Sequence, residues 1–478
     1  MSVCQISILS EDDIERIHEN TILVLEEVGV KVGSNKALEM LEHGGATVDP
    51  DIRTAYIEEH MVNDAVKSMP KEIRLCARNP AQDMQTPRKE YPYMATNGTA
   101  VYVKDYGTGE KRMSMGKDLM DFSVLSDAID SIDYVWPIVT ANDGPEGGHA
   151  LNDFVISLKG TTKHFQGEAL SEKEARDMAR VGSAVVGGED ELAKRPILSA
   201  IQCPICPLEF ERGSVEATME FARAGIPVVS MSMALCGLTS PVTLASTIAI
   251  INAENLASFV ISQLAKPGAP VVYSSESTIM NMKTGEIKYG TMEEVILAAA
   301  AGQMAKHYGA PSMVGGFGVG LYDETHGVSS SMAEIAFSAM TNLTLTDFGS
   351  GIGGLDQAKG ASLEQVVIDS DIWESLRSIR REVAFDEDHF AVSLIEEIGP
   401  GGTFLKAPHT VQNMRNELFI PSQDKAELYD LYRAASDQKK VVEQAGQRVK
   451  KILSEHRPEP LDGDVEKAVD SIMAEYKR

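Results

Sequence analysis

Ile197-Leu-Ser-Ala-Ile-Gln202, a helical stretch over 211–224, and Ile226-Pro-Val-Val-Ser-Met-Ser232 decide the fold. Two short apolar runs flank one helix-sized segment, which is how neighbouring parallel strands are joined. The pattern extends both ways along the chain. Candidate strands are 134–140, 163–168, 197–202, 226–232, 270–275, 312–317 and 343–348, with helices between them at 148–159, 171–187, 211–224, 241–265, 291–308 and 327–341. The repeat predicts an α/β chain with a (β/α)8 TIM-type barrel over 131–400. A doubly wound open sheet is the alternative that the pattern alone allows. The last barrel unit is expected around 364–398, where the signal is helical.

Residues 1–130 are expected to form an N-terminal α/β layer. Ser10 can cap an amphipathic helix over 11–29, and 70–115 is β-rich, with Asn97-Gly98 and Gly107-Thr-Gly109 as hairpin turn signals. Residues 117–130 read as a short helix. The remaining segment, 401–478, is expected to return over the barrel and end in helices; its charged stretch 423–453 would pack on the barrel or on a neighbouring subunit.

The chain has 478 residues, 43% of them apolar, and a formal charge of −27. That charge argues against nucleic acid and anionic membrane partners and suits cationic ligands. Residues 1–20 carry Glu11, Asp12, Asp13 and Glu15 and lack the apolar segment of a signal peptide. The richest apolar stretch, 242–265, holds Asn252 and Glu254 and reads as too polar to span a membrane. Cys4, Cys76, Cys203, Cys206 and Cys236 are an odd, sparse set, which points to reduced thiols in a cytoplasm.

In such a barrel the active site lies at the C-terminal ends of the strands. His164, Gln166 and Glu168 alternate, so they share one face and are candidate catalytic groups; a satisfied hydrogen-bond network is the other reading. Phe165, on the opposite face, should pack on a helix. Trp136, Tyr273, Phe317 and Phe348 fall at expected strand ends, and Tyr322 follows in a loop. Converging rings would hold a quaternary ammonium through cation–π attraction; any one of them could instead be core. His326, His409 and Arg415 are further candidates for substrate contact. Cys203-Pro-Ile-Cys206 with Cys236 could suggest zinc, but a second Cys-x-x-Cys and an HxH pair are missing, so no metal is assigned. Gly315-Gly-Phe-Gly-Val-Gly320 lacks the Lys-Ser/Thr ending of a phosphate loop.

Several stretches occur in a telling order: Thr96-Asn-Gly-Thr99, Cys203-Pro-Ile-Cys-Pro-Leu208, Gly237-Leu-Thr-Ser-Pro-Val-Thr-Leu-Ala245, Asn252-Ala-Glu-Asn-Leu-Ala257, Pro267-Gly-Ala-Pro-Val-Val-Tyr273, and Gly399-Pro-Gly-Gly-Thr-Phe-Leu405 with His409-Thr410 and Arg415. Together they resemble the trimethylamine methyltransferase superfamily, from about residue 10 to about residue 455. No position carries pyrrolysine, so the resemblance is to the branch acting on quaternary amines of the betaine type. It implies a TIM barrel, a homo-oligomer and methyl transfer to Co(I) of a corrinoid carried by a partner protein. Gly315, Gly316, Gly401 and Gly402 would then face the corrinoid. Glycine betaine, proline betaine, carnitine and γ-butyrobetaine are open as substrates. A zinc-dependent thiol or alcohol methyltransferase and a non-catalytic betaine-binding protein are the rival readings.

Overall fold

The computed structural model describes residues 6–476 apart from 89–90, 106–107, 146, 317–334, 336–337, 345, 381–382, 419 and 421–437. Eight parallel strands close into a barrel: β1 Tyr93–Thr96, β2 Tyr134–Val135, β3 His164–Gly167, β4 Leu198–Gln202, β5 Val228–Ser232, β6 Val271–Ser275, β7 Ser312–Gly316 and β8 Phe348–Ile352. Each strand pairs with its sequence neighbours, and β8 pairs with β1 through Phe348↔Tyr93. The barrel expected from the strand–helix repeat is present.

Two placements differ from expectation. The remaining barrel strand is β1, inside the segment read as an N-terminal layer, and not within 364–398. That later stretch supplies the helix Leu363–Leu376, which follows β8. Asn97-Gly98 therefore ends a barrel strand and does not turn a hairpin. The last strand runs over 348–352 and not 343–348. Its run Gly349-Ser-Gly351 has loop propensity, but neighbours on both sides supply the ladder. Glycine is also required at this seam. A Cβ on Gly316 would lie 2.6 Å from the Ser350 carbonyl oxygen, and one on Gly349 would lie 3.0 Å from the Gly315 oxygen. Gly315, expected with Gly316 to face a corrinoid, has a packing reason of its own, since a Cβ there would meet Thr346 Cγ2 at 2.9 Å.

The helices on the outside bury their apolar faces against the strands. Phe165 packs outward on Phe154 of the helix His149–Gly160, ring centroids 4.6 Å apart. Leu244–Ala265 is long and apolar enough to cross a membrane, yet 78% of its most apolar window is buried inside the fold. Its polar groups are satisfied there: Asn252 Nδ2 donates to Thr21 Oγ1 at 3.0 Å, and Glu254 accepts from Ser232 Oγ at 2.6 Å.

The N-terminal helix is Glu11–Leu23, capped by Ser10 in a capping box. The hairpin Arg74–Leu75/Met84–Gln85 closes the lower, N-terminal end of the barrel, with Ile73, Leu75 and Met84 packed into its interior core. The helices Gln438–Glu455 and Gly463–Ala474 pack on the barrel's outer helices through Ala445, Val449, Val469 and Ile472.

The segment before them behaves differently. Helices Glu387–Phe390, Val392–Ile398 and Pro408–Glu417 bury none of their residues. The return of this segment over the barrel is thus not seen; a lid would have to bury side chains.

Because the Ser350 carbonyl cannot retreat from a β7 side chain without breaking the ladder, Gly316→Val is expected to destabilise the fold by about 2–3 kcal/mol. A lowered midpoint in urea or thermal unfolding checks this; an unchanged midpoint would show that the seam tolerates a Cβ.

Candidate active site

Alternation along each strand decides which side chains see the barrel interior. At the base, His164 is wholly buried. Its Nδ1 lies 2.7 Å from the Cys76 carbonyl oxygen and its Nε2 2.9 Å from Ser199 Oγ. A carbonyl only accepts, so Nδ1 carries the proton and the Ser199 hydroxyl donates to Nε2. Burial pushes the imidazole pKa down from 6.5 to about 4. His164 thus ties the closing hairpin to the strands and is removed from the list of catalytic groups. Gln166 sits one layer higher, its Nε2 donating to Met313 Sδ at 3.5 Å and its Oε1 3.3 Å from Ser199 Oγ.

Phe348 also belongs to the base, since it starts β8 instead of ending it. It packs between Tyr93 and Tyr134, at 5.8 and 6.0 Å between centroids. Tyr273 faces outward: it meets Phe259 of the helix Leu244–Ala265 edge-on, and its hydroxyl donates to Asn252 Oδ1 at 3.1 Å. Neither ring can belong to a cage at the mouth. The reason is parity: Val272 and Ser274 point in, so Tyr273 points out.

At the C-terminal ends the inward ring is Trp136, Glu168, Cys203, Met233, Glu276 and Ser350. Trp136 follows β2, and its ring lies against Gly98, where a Cβ would come within 2.2 Å of Cε2. Its buried indole Nε1 has no hydrogen-bond partner among the described residues. Ser350 Oγ donates to Glu276 Oε1 at 3.3 Å. Burial raises the pKa of Glu276, and burial together with the charge of Glu174 raises that of Glu168. Cys203 lies close enough to feel Glu168, Glu276 and Glu254, and burial holds its thiol protonated. Glu276, missed as a candidate by sequence reasoning, was legible only as the residue after a strand; its inward direction needed the register.

The three cysteines considered for zinc point apart. Cys203 faces the interior, Cys206 Sγ donates outward to Glu254 Oε2 at 2.9 Å, and Cys236 Sγ donates to the Val242 carbonyl at 3.0 Å. Among the described residues no group of three or more His, Cys, Asp or Glu side chains is placed to hold a metal ion.

Phe317, Tyr322 and His326 lie outside the described residues. His409 is on the unburied helix Pro408–Glu417, its Nε2 3.2 Å from the Asp388 carbonyl of the same segment, and Arg415 is exposed there. Gly401 and Gly402 are exposed as well, and a Cβ on Gly402 would meet Ile398 Cγ2 at 2.3 Å, a local reason for glycine. These four residues thus lie on or beside helices that bury none of their residues.

The family Trimethylamine methyltransferase (MTTB) matches residues 2–478. The chain belongs to this family. It is 30% identical over 473 residues to a glycine betaine methyltransferase of Desulfitobacterium hafniense (strain Y51), covering 98% of this chain and 97% of that one. It is equally 30% identical over 475 residues to the trimethylamine methyltransferase MttB of Desulfitobacterium hafniense (strain DSM 10664 / DCB-2), covering 98% and 93%. Among solved structures, the hydroxylamine MtmB complex overlaps 92% of each chain at 10% identity and a TM-score of 0.48. This MTTB chain is therefore a methyltransferase that draws on a methylamine-type substrate.

Two predictions follow from the assignments at the base and outer face of this MTTB barrel. The unfolded chain binds a proton near pH 6.5 that folded His164 refuses until about 4. Its contribution to stability is full above pH 6.5 and is lost as pH falls from 6.5 towards 4, about 3 kcal/mol in all. Urea unfolding across that range should show the loss, and His164→Asn should flatten it; an unaltered slope would place the response elsewhere. Tyr273→Phe should cost about 1 kcal/mol of stability through the lost Asn252 bond and leave ligand affinity unchanged. Calorimetry with any bound amine would expose an error if affinity fell.

Proposed function

We propose that this enzyme demethylates a quaternary trimethylammonium compound, with Co(I) of a corrinoid carried by a partner protein receiving the methyl group. The observation that carries this reading is the ring at the C-terminal strand ends: an indole and two carboxylates, at the end of the barrel opposite its closed base. The corrinoid supplies the nucleophile that attacks the methyl carbon.

The chain's own residues bind and point. The Trp136 face contributes about 0.5–2 kcal/mol to holding a desolvated cation. Glu276 and Glu168 supply opposite charge, and the closed base leaves one direction of approach. The C–N bond breaks with its electron pair kept by nitrogen, which leaves as a neutral tertiary amine. No proton is required, so the barrel can work without a general acid. His164, sealed at the base, is consistent with that. Gln166 supports the ring from one layer below. Since positive charge fades as the bond breaks, binding must come mostly from placement and not from maximal charge contact. Phe317, Tyr322 and His326, in the stretch of sequence that follows β7, remain candidate contacts.

The reading places the enzyme in the cytoplasm as a homo-oligomer. Support for the second point comes from Phe385, Phe390, Val392, Ile395, Leu405 and Val411, all more than half exposed on one segment. A surface this apolar suits a permanent contact with a second copy better than a corrinoid partner that must leave at each turnover.

Incubation with cob(I)alamin and a panel of amines tests the function. Quaternary amines should discharge the cob(I)alamin absorbance, and trimethylamine or dimethylamine should not; the reverse pattern overturns the proposal. Trp136→Ala should weaken substrate binding by about tenfold without unfolding the barrel. Unchanged affinity would remove this ring from the site.

A further inference from the structure

Among the described residues, the inward side chains at the mouth carry charge of one sign only. Glu168 and Glu276 are acidic, and Trp136, Cys203, Met233 and Ser350 are neutral. No described residue donates a hydrogen bond or an ion pair to Glu168, and the described charge that acts on it is another carboxylate, Glu174. Glu276 receives one long hydrogen bond, 3.3 Å from Ser350, and no described cation. Beyond it stand Tyr289 and Glu294, the latter held protonated by burial up to about 8, partly because of Glu276. A second feature points to a ligand: the buried Trp136 Nε1–H has no described partner, and as a donor it would suit an acceptor such as the hydroxyl of a choline-type tail. Among the described residues, the side chains that the sequence offered for a substrate carboxylate lie elsewhere, and His326 falls outside the described residues. His164 is committed at the base, and His409 and Arg415 lie on the outlying segment.

A betaine brings its own carboxylate, net charge zero, into this ring. A choline-type or tetraalkylammonium ion brings only the cation. Like charges facing each other in a poorly hydrated site are strongly unfavourable, whereas a cation between two unpaired carboxylates restores what burial removed.

Resting on the function proposed above, we infer that the site selects trimethylammonium compounds with a neutral tail, Glu276 acting as counter-ion and Glu168 repelling a substrate carboxylate. This turns the betaine expectation toward carboxylate-free cations.

Calorimetry of the isolated chain, without corrinoid, provides the test. Choline and tetramethylammonium should bind about tenfold or more tightly than glycine betaine and γ-butyrobetaine. Glu276→Gln should weaken choline by about tenfold and narrow that gap, and Glu168→Gln should strengthen the betaines. Circular dichroism establishes that each variant is folded; if one is not, the wild-type ratio decides. Betaines binding more tightly than choline, or a ratio indifferent to both substitutions, overturns the inference. The cob(I)alamin assay separates the two levels. Demethylation of betaines alone leaves the enzyme function standing and sinks this selectivity. Selective cation binding with no methyl transfer does the opposite.

Discussion

Tyr93–Thr96 lies between Phe348–Ile352 and Tyr134–Val135, and its ladders to both sides convert an open sheet into a closed barrel. Closure satisfies the edge N–H and C=O groups that an open sheet would leave unpaired. It also imposes parity. Once every strand has a neighbour on each side, alternate residues must point to the interior and the rest to the helices. The seam beside this strand depends on glycine, because the β7 and β8 backbones approach too closely for a Cβ at Gly316.

Parity then sorts the chemistry. The same rule turns Tyr273 out toward Asn252 and turns Glu276 in toward Ser350, three residues apart in the chain. Height along the strand does the rest. His164 enters at the start of β3 and is locked between Cys76 and Ser199, while Glu168, four residues on, reaches the mouth. One end of the barrel is a satisfied polar network, and the other holds carboxylates and an indole with few partners. That asymmetry separates the part of the protein that stays folded from the part that can take a ligand.

The outlying segment carries a related lesson about motifs. Gly399-Pro-Gly-Gly402 and His409-Thr410 stand out in the sequence, and the resemblance drew them toward the barrel mouth. In the structure they decorate helices that bury no side chain. A motif can mark a place that acts through a partner surface as readily as a place that touches substrate.

The sequence by itself determined a parallel α/β sheet, because β-branched runs alternating with helix-length stretches have few other ways to bury their apolar faces, and the family resemblance turned that reading from an open sheet to a barrel. It also determined the family, the N-terminal cap at Ser10 and the outward packing of Phe165, all of which rest on local spacing. Only the tertiary structure decided which strand closes the barrel, since Tyr93–Thr96 is four residues long and carries little periodic signal. It alone showed that Phe348 begins its strand, because the glycines of 349–354 lack strand propensity and are held there by their neighbours. And it alone brought Trp136, Glu168 and Glu276 to one ring, because a direction set by register is not written in any single stretch of chain.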